Sequence, residues 1–287
     1  MPLDVKIGHT ALTWDVFAHP ENVADAIRDC ASLGFAGTET GGRLYDWWER
    51  ERPGAIKRIL AETGVAMACL FQSGEWTNKE SAPDLLEDAR RWSDALCDLG
   101  GAVLMLVPGP RREAPPYSLD EFKQMAETMN QAGAIAQRAG VIAAMHPHWG
   151  TVAEQRLEIE LLLDLLDPRL VGFAPDTGQI AKGGADPTPI VERWASRVQH
   201  VHMKDLSPEW DAMRKAGVAL RSPEGYAELG QGTIDFRPLV AILNRANYRG
   251  WLMAELDEAT RPPYEAAKLS KQYLEQTLGF ELSPRGR

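Results

Sequence analysis

Eight short apolar runs, recurring about every 30 residues, constrain the fold of this chain more than any other feature. They are Val5–Leu12, Phe35–Glu39, Val65–Phe71, Ala102–Val107, Val141–His146, Leu170–Pro175, Val198–Met203 and Trp251–Leu256. Each is rich in Val, Ile, Leu, Met and Ala and lacks the clean alternation of a half-solvated sheet. Strands buried on both faces read this way, and parallel sheets demand them. Between the runs lie amphipathic segments. In Asn22–Leu33 the apolar Val23, Ala26, Ile27 and Cys30 recur at helical spacing, and Ala82–Leu99, Leu119–Ala139, Leu157–Leu166, Pro189–Trp194, Phe236–Ala246 and Pro263–Leu278 have the same character. Gly34, Gly64, Gly100, Gly140 and Gly250 stand before the next run, where glycine stops a helix. A βα unit repeated eight times predicts an α/β fold, a (β/α)₈ TIM barrel, as one domain over residues 1–287 with a C-terminal tail from about 280. A doubly wound sheet is the alternative; it usually uses fewer strands, and no GxGxxG follows the first run.

The formal net charge of −10, with Lys and Arg scattered, argues against a nucleic-acid partner. Three cysteines, Cys30, Cys69 and Cys97, form no CxxC pair and are expected to be reduced thiols. The N-terminus lacks a signal-peptide pattern, and no apolar stretch approaches a membrane span. The expectation is a cytoplasmic protein that leaves membranes alone; a homo-oligomer is left open.

Two connections are longer than plain βα loops: Pro108–Ser118, with Pro108, Pro110, Pro115 and Pro116, and Ser207–Gly232. Both fall on the C-terminal face, where barrels build their sites, so they read either as ordinary surface loops or as pocket walls. The informative polar residues also sit at run ends. His146, Asp176, His202 and Glu255 end four runs that are neighbours in a barrel, and each can aim one ligand atom at a common centre. Two imidazoles and two carboxylates suit one divalent ion of the Mn, Co, Zn or Fe type, with room left for substrate oxygens. Taken singly, each reads equally well as a hydrogen-bonded rim residue or a helix cap. His200 and His202 alternate with Val201 and so share a face; His202, nearer the C-terminal end, is expected to be the ligand and His200 to lie in the layer below. His148 lies beyond its strand and is free to touch substrate or to orient a ligand. Trp14, Phe71, Trp76 and Trp149 follow strands and are read either as pocket walls that stack on a sugar or as core packing.

These residues carry a resemblance. GFAGTETGG, AAMHPHWGTVAE, PDTGQIAKGGADP, QHVHMKDL, LGQGTIDFRPLVAIL and NYRGWLMAELD resemble the sugar phosphate isomerase/epimerase superfamily, the xylose isomerase-like barrels, over about Val5 to Leu278. Within it the chain is most similar to myo-inosose-2 dehydratases. The resemblance implies one catalytic divalent ion per barrel and a small keto-sugar or keto-cyclitol as substrate. Epimerases of the superfamily carry a metal-binding, proton-exchanging Glu on the fifth strand and another on the eighth. Here the fifth-strand position is His146 and only Glu255 remains, which favours elimination over two-carboxylate epimerisation. Three departures bear on the substrate: Gln179 stands where many relatives have His, the segment between Ser207 and Gly230 differs from the dehydratase insertion, and the eighth strand continues as Leu256-Asp257-Glu258.

The implied chemistry is removal of a proton beside a ketone polarised by the ion. His148, Glu255 and Glu39 are the candidate bases. Lys204 is read as acid, as a ligand for a substrate oxygen, or as a partner of Asp205. Gln179, Trp14, Phe71 and Trp149 are expected to touch substrate. The functional expectation is a metal-dependent carbon–oxygen lyase of the inosose dehydratase type. The alternatives are a sugar isomerase or epimerase, a lyase cleaving 3-keto glycosides, or a non-catalytic sugar-binding barrel. A multi-metal nuclease of the same superfamily is disfavoured by six His in total and by the acidic charge.

Overall fold

The computed structural model describes residues 3–114, 116–218, 225–257 and 259–283. A strand forms at each apolar run: β1 Lys6–Thr10, β2 Gly37–Gly41, β3 Ala66–Gly74, β4 Val103–Pro108, β5 Ile142–Met145, β6 Val171–Phe173, β7 His200–Leu206 and, eighth in the ring, β9 Trp251–Glu255. A short strand, β8 (Tyr226–Ala227), pairs antiparallel with the end of β7. The other strands are parallel in the order β6-β5-β4-β3-β2-β1-β9-β7. The two ends of that order meet. Phe173 bridges to Val198 and Asp176 to His202, and the N–H groups of Gln199 and His202 donate to the carbonyls of Phe173 and Pro175, both at 2.9 Å. The sheet is therefore a closed (β/α)₈ barrel.

The helix Ala82–Leu99 occupies its apolar-periodic segment, and Leu119–Arg138 starts at a capping box between Ser118 and Glu121. Four helices went unread in the sequence: Gly42–Glu51, Ala55–Thr63, Thr177–Lys182 and Pro208–Lys215. They are short or bury little; Gly42–Glu51 buries only Gly42, Leu44 and Trp48. Gly34, Gly64, Gly100 and Gly140 take the left-handed conformation that ends a helix, whereas at the last of the five positions Asn247 (φ 53°), not Gly250, makes the turn.

The barrel interior is filled from below by Trp251 and Met253. A Cβ at Gly37 would lie 2.5 Å from the Trp251 ring, and one at Gly8 would lie 2.5 Å from Met253 Sδ. Those two glycines thus make room for the plug at the N-terminal mouth. The opposite, C-terminal mouth carries the polar residues. After β4, Pro110 bridges to Thr151 and Arg111 pairs with Glu158 at 2.6 Å, which ties this loop down at the mouth. Pro115 lies outside the described residues. The segment after β7 holds the helix Pro208–Lys215 and β8, and its residues 219–224 lie outside the described residues, as do Glu258 and the end of the C-terminal tail, 284–287. Cys30 and Cys69 are buried, Cys97 is exposed, and none is in a disulfide. Among the described residues no helix is long and apolar enough to cross a membrane.

Candidate metal centre

Strand register brings the polar residues to one level. Leu106 pairs with Met145, and the next N–H, that of His146, donates to the Leu106 carbonyl at 2.9 Å. Met145 pairs with Phe173, Asp176 with His202, and Lys204 with Glu255. These pairings set His146, Asp176, His202 and Glu255 around one point inside the rim. Asp176 Oδ2 lies 3.9 Å from His146 Nε2 and 3.7 Å from His202 Nδ1, and His202 Nδ1 touches Glu255 Oε2. His146 Nδ1 donates to the Ala174 carbonyl (3.0 Å), so the lone pair of Nε2 faces the cluster. Asp176 divides its oxygens: Oδ1 caps the helix Thr177–Lys182 by accepting the Gln179 N–H at 2.8 Å, and Oδ2 is left for the centre.

Two observations test whether a divalent ion fits here. First, Asp176 Oδ2, Glu255 Oε2 and His202 Nδ1 are buried and none makes an aligned hydrogen bond, and a native structure rarely leaves several such atoms together. Second, the carboxylates of Glu39, Asp176 and Glu255 are 0, 0 and 3% exposed, against one buried ammonium, Lys204, at 1%. With no ion present, a proton held on His202 by Glu255 and Glu39 offsets part of the remaining negative charge, and a divalent cation would take that proton's place. A divalent cation matches both the donors and the deficit. His146, Asp176 and His202 lie close enough to share an ion, and Glu255 adjoins them.

Burial shapes the ionisation of each group. Burial raises Asp176, but Lys204 beside it, with His202 and His146, outweighs this and holds the carboxyl well below its usual range. For Glu255 burial wins over the pull of His202 and Lys204 and pushes the carboxyl up to about 7. Burial opposes a charged His202, yet Glu255 and Glu39 keep that imidazole well above its usual value. Burial with the Lys204 charge nearby lowers His148.

The residues singled out in the sequence part into groups. His146, His148, His202, Glu255 and Asp257 line a cavity of about 610 Å³ at the C-terminal mouth, together with Phe71, Trp149 and other residues. The expectation that Glu39 acts as a base on substrate is corrected. It lies below the cavity floor, fully buried, 2.7 Å from the Nε2 atoms of both His200 and His202. Trp14 is corrected as well, because its indole N–H donates to Asp29 (2.9 Å) and its ring packs edge-on against His9, away from the cavity. Trp76 is core, with its N–H on the Val107 carbonyl. Gln179 stands behind His148 rather than in the cavity. Its Oε1 accepts from the Trp149 N–H (3.1 Å) and the Tyr226 hydroxyl (2.6 Å), so its amide N–H₂ must be the group facing His148 Nε2 at 2.9 Å. His148 Nδ1 in turn donates to the Trp149 carbonyl at 2.6 Å, so both ring nitrogens are engaged. Lys204 does not pair with Asp205. Its Nζ sits 3.4 Å from Asp176, 3.1 Å from Glu255 and 2.9 Å from Asp257, while Asp205 accepts the N–H groups of Leu206, Gly230, Gly232 and Ile234. Asp257, on the cavity lining and 2.9 Å from Lys204 Nζ, is the candidate to which sequence reasoning gave no role. Its spacing two after Glu255 was the available signal, since alternation returns it to the same face.

Trp14 and Phe71 give a direct contrast. Phe71→Ala should raise KM by about fivefold, the worth of roughly 1 kcal/mol of ring contact. Trp14→Phe should leave KM unchanged. Steady-state kinetics on the same substrate separate the two, and equal effects would contradict this placement of the rings.

A closed parallel barrel with a polar, charge-dense cavity at its C-terminal mouth defines a TIM-barrel enzyme. The chain belongs to the xylose isomerase-like TIM barrel family, which it matches over residues 27–277. It is 30% identical to the inosose dehydratase of Geobacillus kaustophilus over 279 residues, covering 91% of this chain and 89% of that one. Its fold is similar to that of 3-keto-D-glucoside 4-epimerase from E. coli (TM-score 0.72, 20% identity, 95% of this chain and 99% of that one). It is also similar to IolI, a protein with a bound zinc atom in its crystal structure (TM-score 0.75, 14% identity, 96% and 98%).

Proposed function

We propose that this protein is a divalent-metal-dependent lyase that eliminates water from a keto-cyclitol or keto-sugar, acting in the cytoplasm. His146, Asp176, His202 and Glu255 would hold the ion, of the Mn, Co, Zn or Fe type. When bound, the ion supplies Lewis-acid polarisation of the substrate carbonyl. The similarity to inosose dehydratases supports this substrate class.

The observation that carries the reading is the asymmetry of the cavity wall. Glu255 and Asp257 stand on the lining with the Lys204 ammonium 3.1 and 2.9 Å from them, and the strand-five residue facing Asp176 and His202 is an imidazole, His146, not the carboxylate that the superfamily's epimerases carry on that strand. Glu255, on the cavity wall beside Lys204, takes the proton from the carbon beside the ketone. Lys204, held as an ammonium by Asp176, Asp257 and Glu255 in spite of burial, gives a proton to the departing hydroxyl. His148, both nitrogens engaged, forms the wall against which the ring rests.

Incubation of the metal-loaded enzyme with 2-keto-myo-inositol tests this. The expected product is the dehydrated enone-forming diketone, seen as new ultraviolet absorbance with loss of one water by mass. Solvent deuterium incorporated with inversion at carbon and no loss of water would contradict elimination and identify an epimerase.

A further inference from the structure

Glu39 is a fully buried carboxylate inside the barrel, and the reaction proposed above does not use it. It projects from β2, across the interior from β7, and it is fully buried, as is His200. One carboxylate oxygen, Oε2, accepts from His200 Nε2 at 2.7 Å, and the other, Oε1, lies 2.7 Å from His202 Nε2. His202 then turns its Nδ1 to Asp176 and Glu255.

We propose that Glu39 is the positioning residue of the metal centre: it fixes which nitrogen of His202 is offered to the ion. The argument rests on the metal assignment above, not on the fate of the substrate. Glu39 Oε1 lies 2.7 Å from His202 Nε2, off the line of an ideal hydrogen bond but close enough for its charge to hold a proton on that nitrogen, so when an ion takes Nδ1 the remaining hydrogen stays on Nε2. The lone pair is thereby left on Nδ1, the atom beside Asp176 Oδ2. A carboxylate behind a metal-binding histidine orients the ring and raises its basicity, and losing such a partner costs about 10–100-fold in metal affinity. His200 occupies the second oxygen of Glu39 and keeps the carboxylate from rotating away. Glu39, Cys69 and His200 also lie near enough to one another to suggest a second ion. One Glu39 oxygen is taken by His200 and the other lies against His202 Nε2, so these three residues serve as support instead.

The test is the Zn²⁺ dissociation constant of the full chain, measured by competition with a chromophoric chelator at a temperature where the apo-protein is folded. Glu39→Gln keeps the volume and removes the charge. It should raise Kd about 10–100-fold and shift the visible d–d bands of the Co²⁺-loaded protein. Removing a purely structural contact would instead lower the melting temperature and leave Kd and the bands alone. Should Glu39→Gln not fold, Glu39→Asp retains the charge, withdraws the carboxylate by one methylene and should also raise Kd. A Kd within about twofold of the parent in a folded variant overturns the proposal. So does a parent that binds two Zn²⁺ ions and falls to one on Cys69→Ala, for Glu39 would then be a ligand. Failure of the dehydration assay alongside a raised Kd would sink the reaction and leave this inference standing.

Discussion

Asp176→Asn should give a folded barrel that retains no divalent ion and turns over at least about a thousandfold more slowly, roughly 4 kcal/mol of lost transition-state stabilisation. Asparagine is chosen because Asp176 has two jobs. Its Oδ1 caps the helix Thr177–Lys182 and its Oδ2 faces His146, His202 and Lys204. Alanine would remove both, at about 1 kcal/mol for the cap alone. Asparagine keeps the capping oxygen and removes the charge from the centre. Metal analysis, circular dichroism and turnover on one preparation check this, and stoichiometric metal in the variant would remove Asp176 from the ligand set.

The second large effect is expected at Lys204, where the chemistry and the metal should come apart. Its buried ammonium lies 3.4, 3.1 and 2.9 Å from Asp176, Glu255 and Asp257. Lys204→Met deletes the proton donor while filling the same space, so turnover should fall at least about a hundredfold, within the usual worth of a general acid. Metal content should not fall, since a competitor for the carboxylates is gone. Without an ion the variant leaves carboxylates buried and unpaired, which costs about 3–5 kcal/mol. Added Mn²⁺ should therefore raise its melting temperature by more than that of the parent. Near-parental turnover would assign Lys204 a merely structural role.

Much of this was legible in the sequence because barrel periodicity is set by burial. Runs that are apolar on every residue, separated by amphipathic segments, leave few architectures, and each residue ending a run must then lie on the C-terminal rim. That reasoning brought His146, Asp176, His202 and Glu255 to one point and set His200 beneath His202 by alternation alone. It gave no depth for Glu39, because a strand ending in Thr38-Glu39-Thr40 does not reveal how far its side chain reaches across the interior. Nor did it show which way Trp14 turns, since the short helical turn Ala11–Trp14 that follows β1 swings its ring toward Asp29. The role of Gln179 depended on a contact with Tyr226, which is distant in sequence and sits on β8, a two-residue strand too short to read.

The central claim, that one ion sits among two histidines and two carboxylates at the rim, is met most directly by anomalous diffraction from crystals grown with Mn²⁺. The account predicts a single strong peak per chain, bounded by His146, Asp176, His202 and Glu255. A peak between Glu39, Cys69 and His200 in its place, or none at the rim at saturating Mn²⁺, would contradict it.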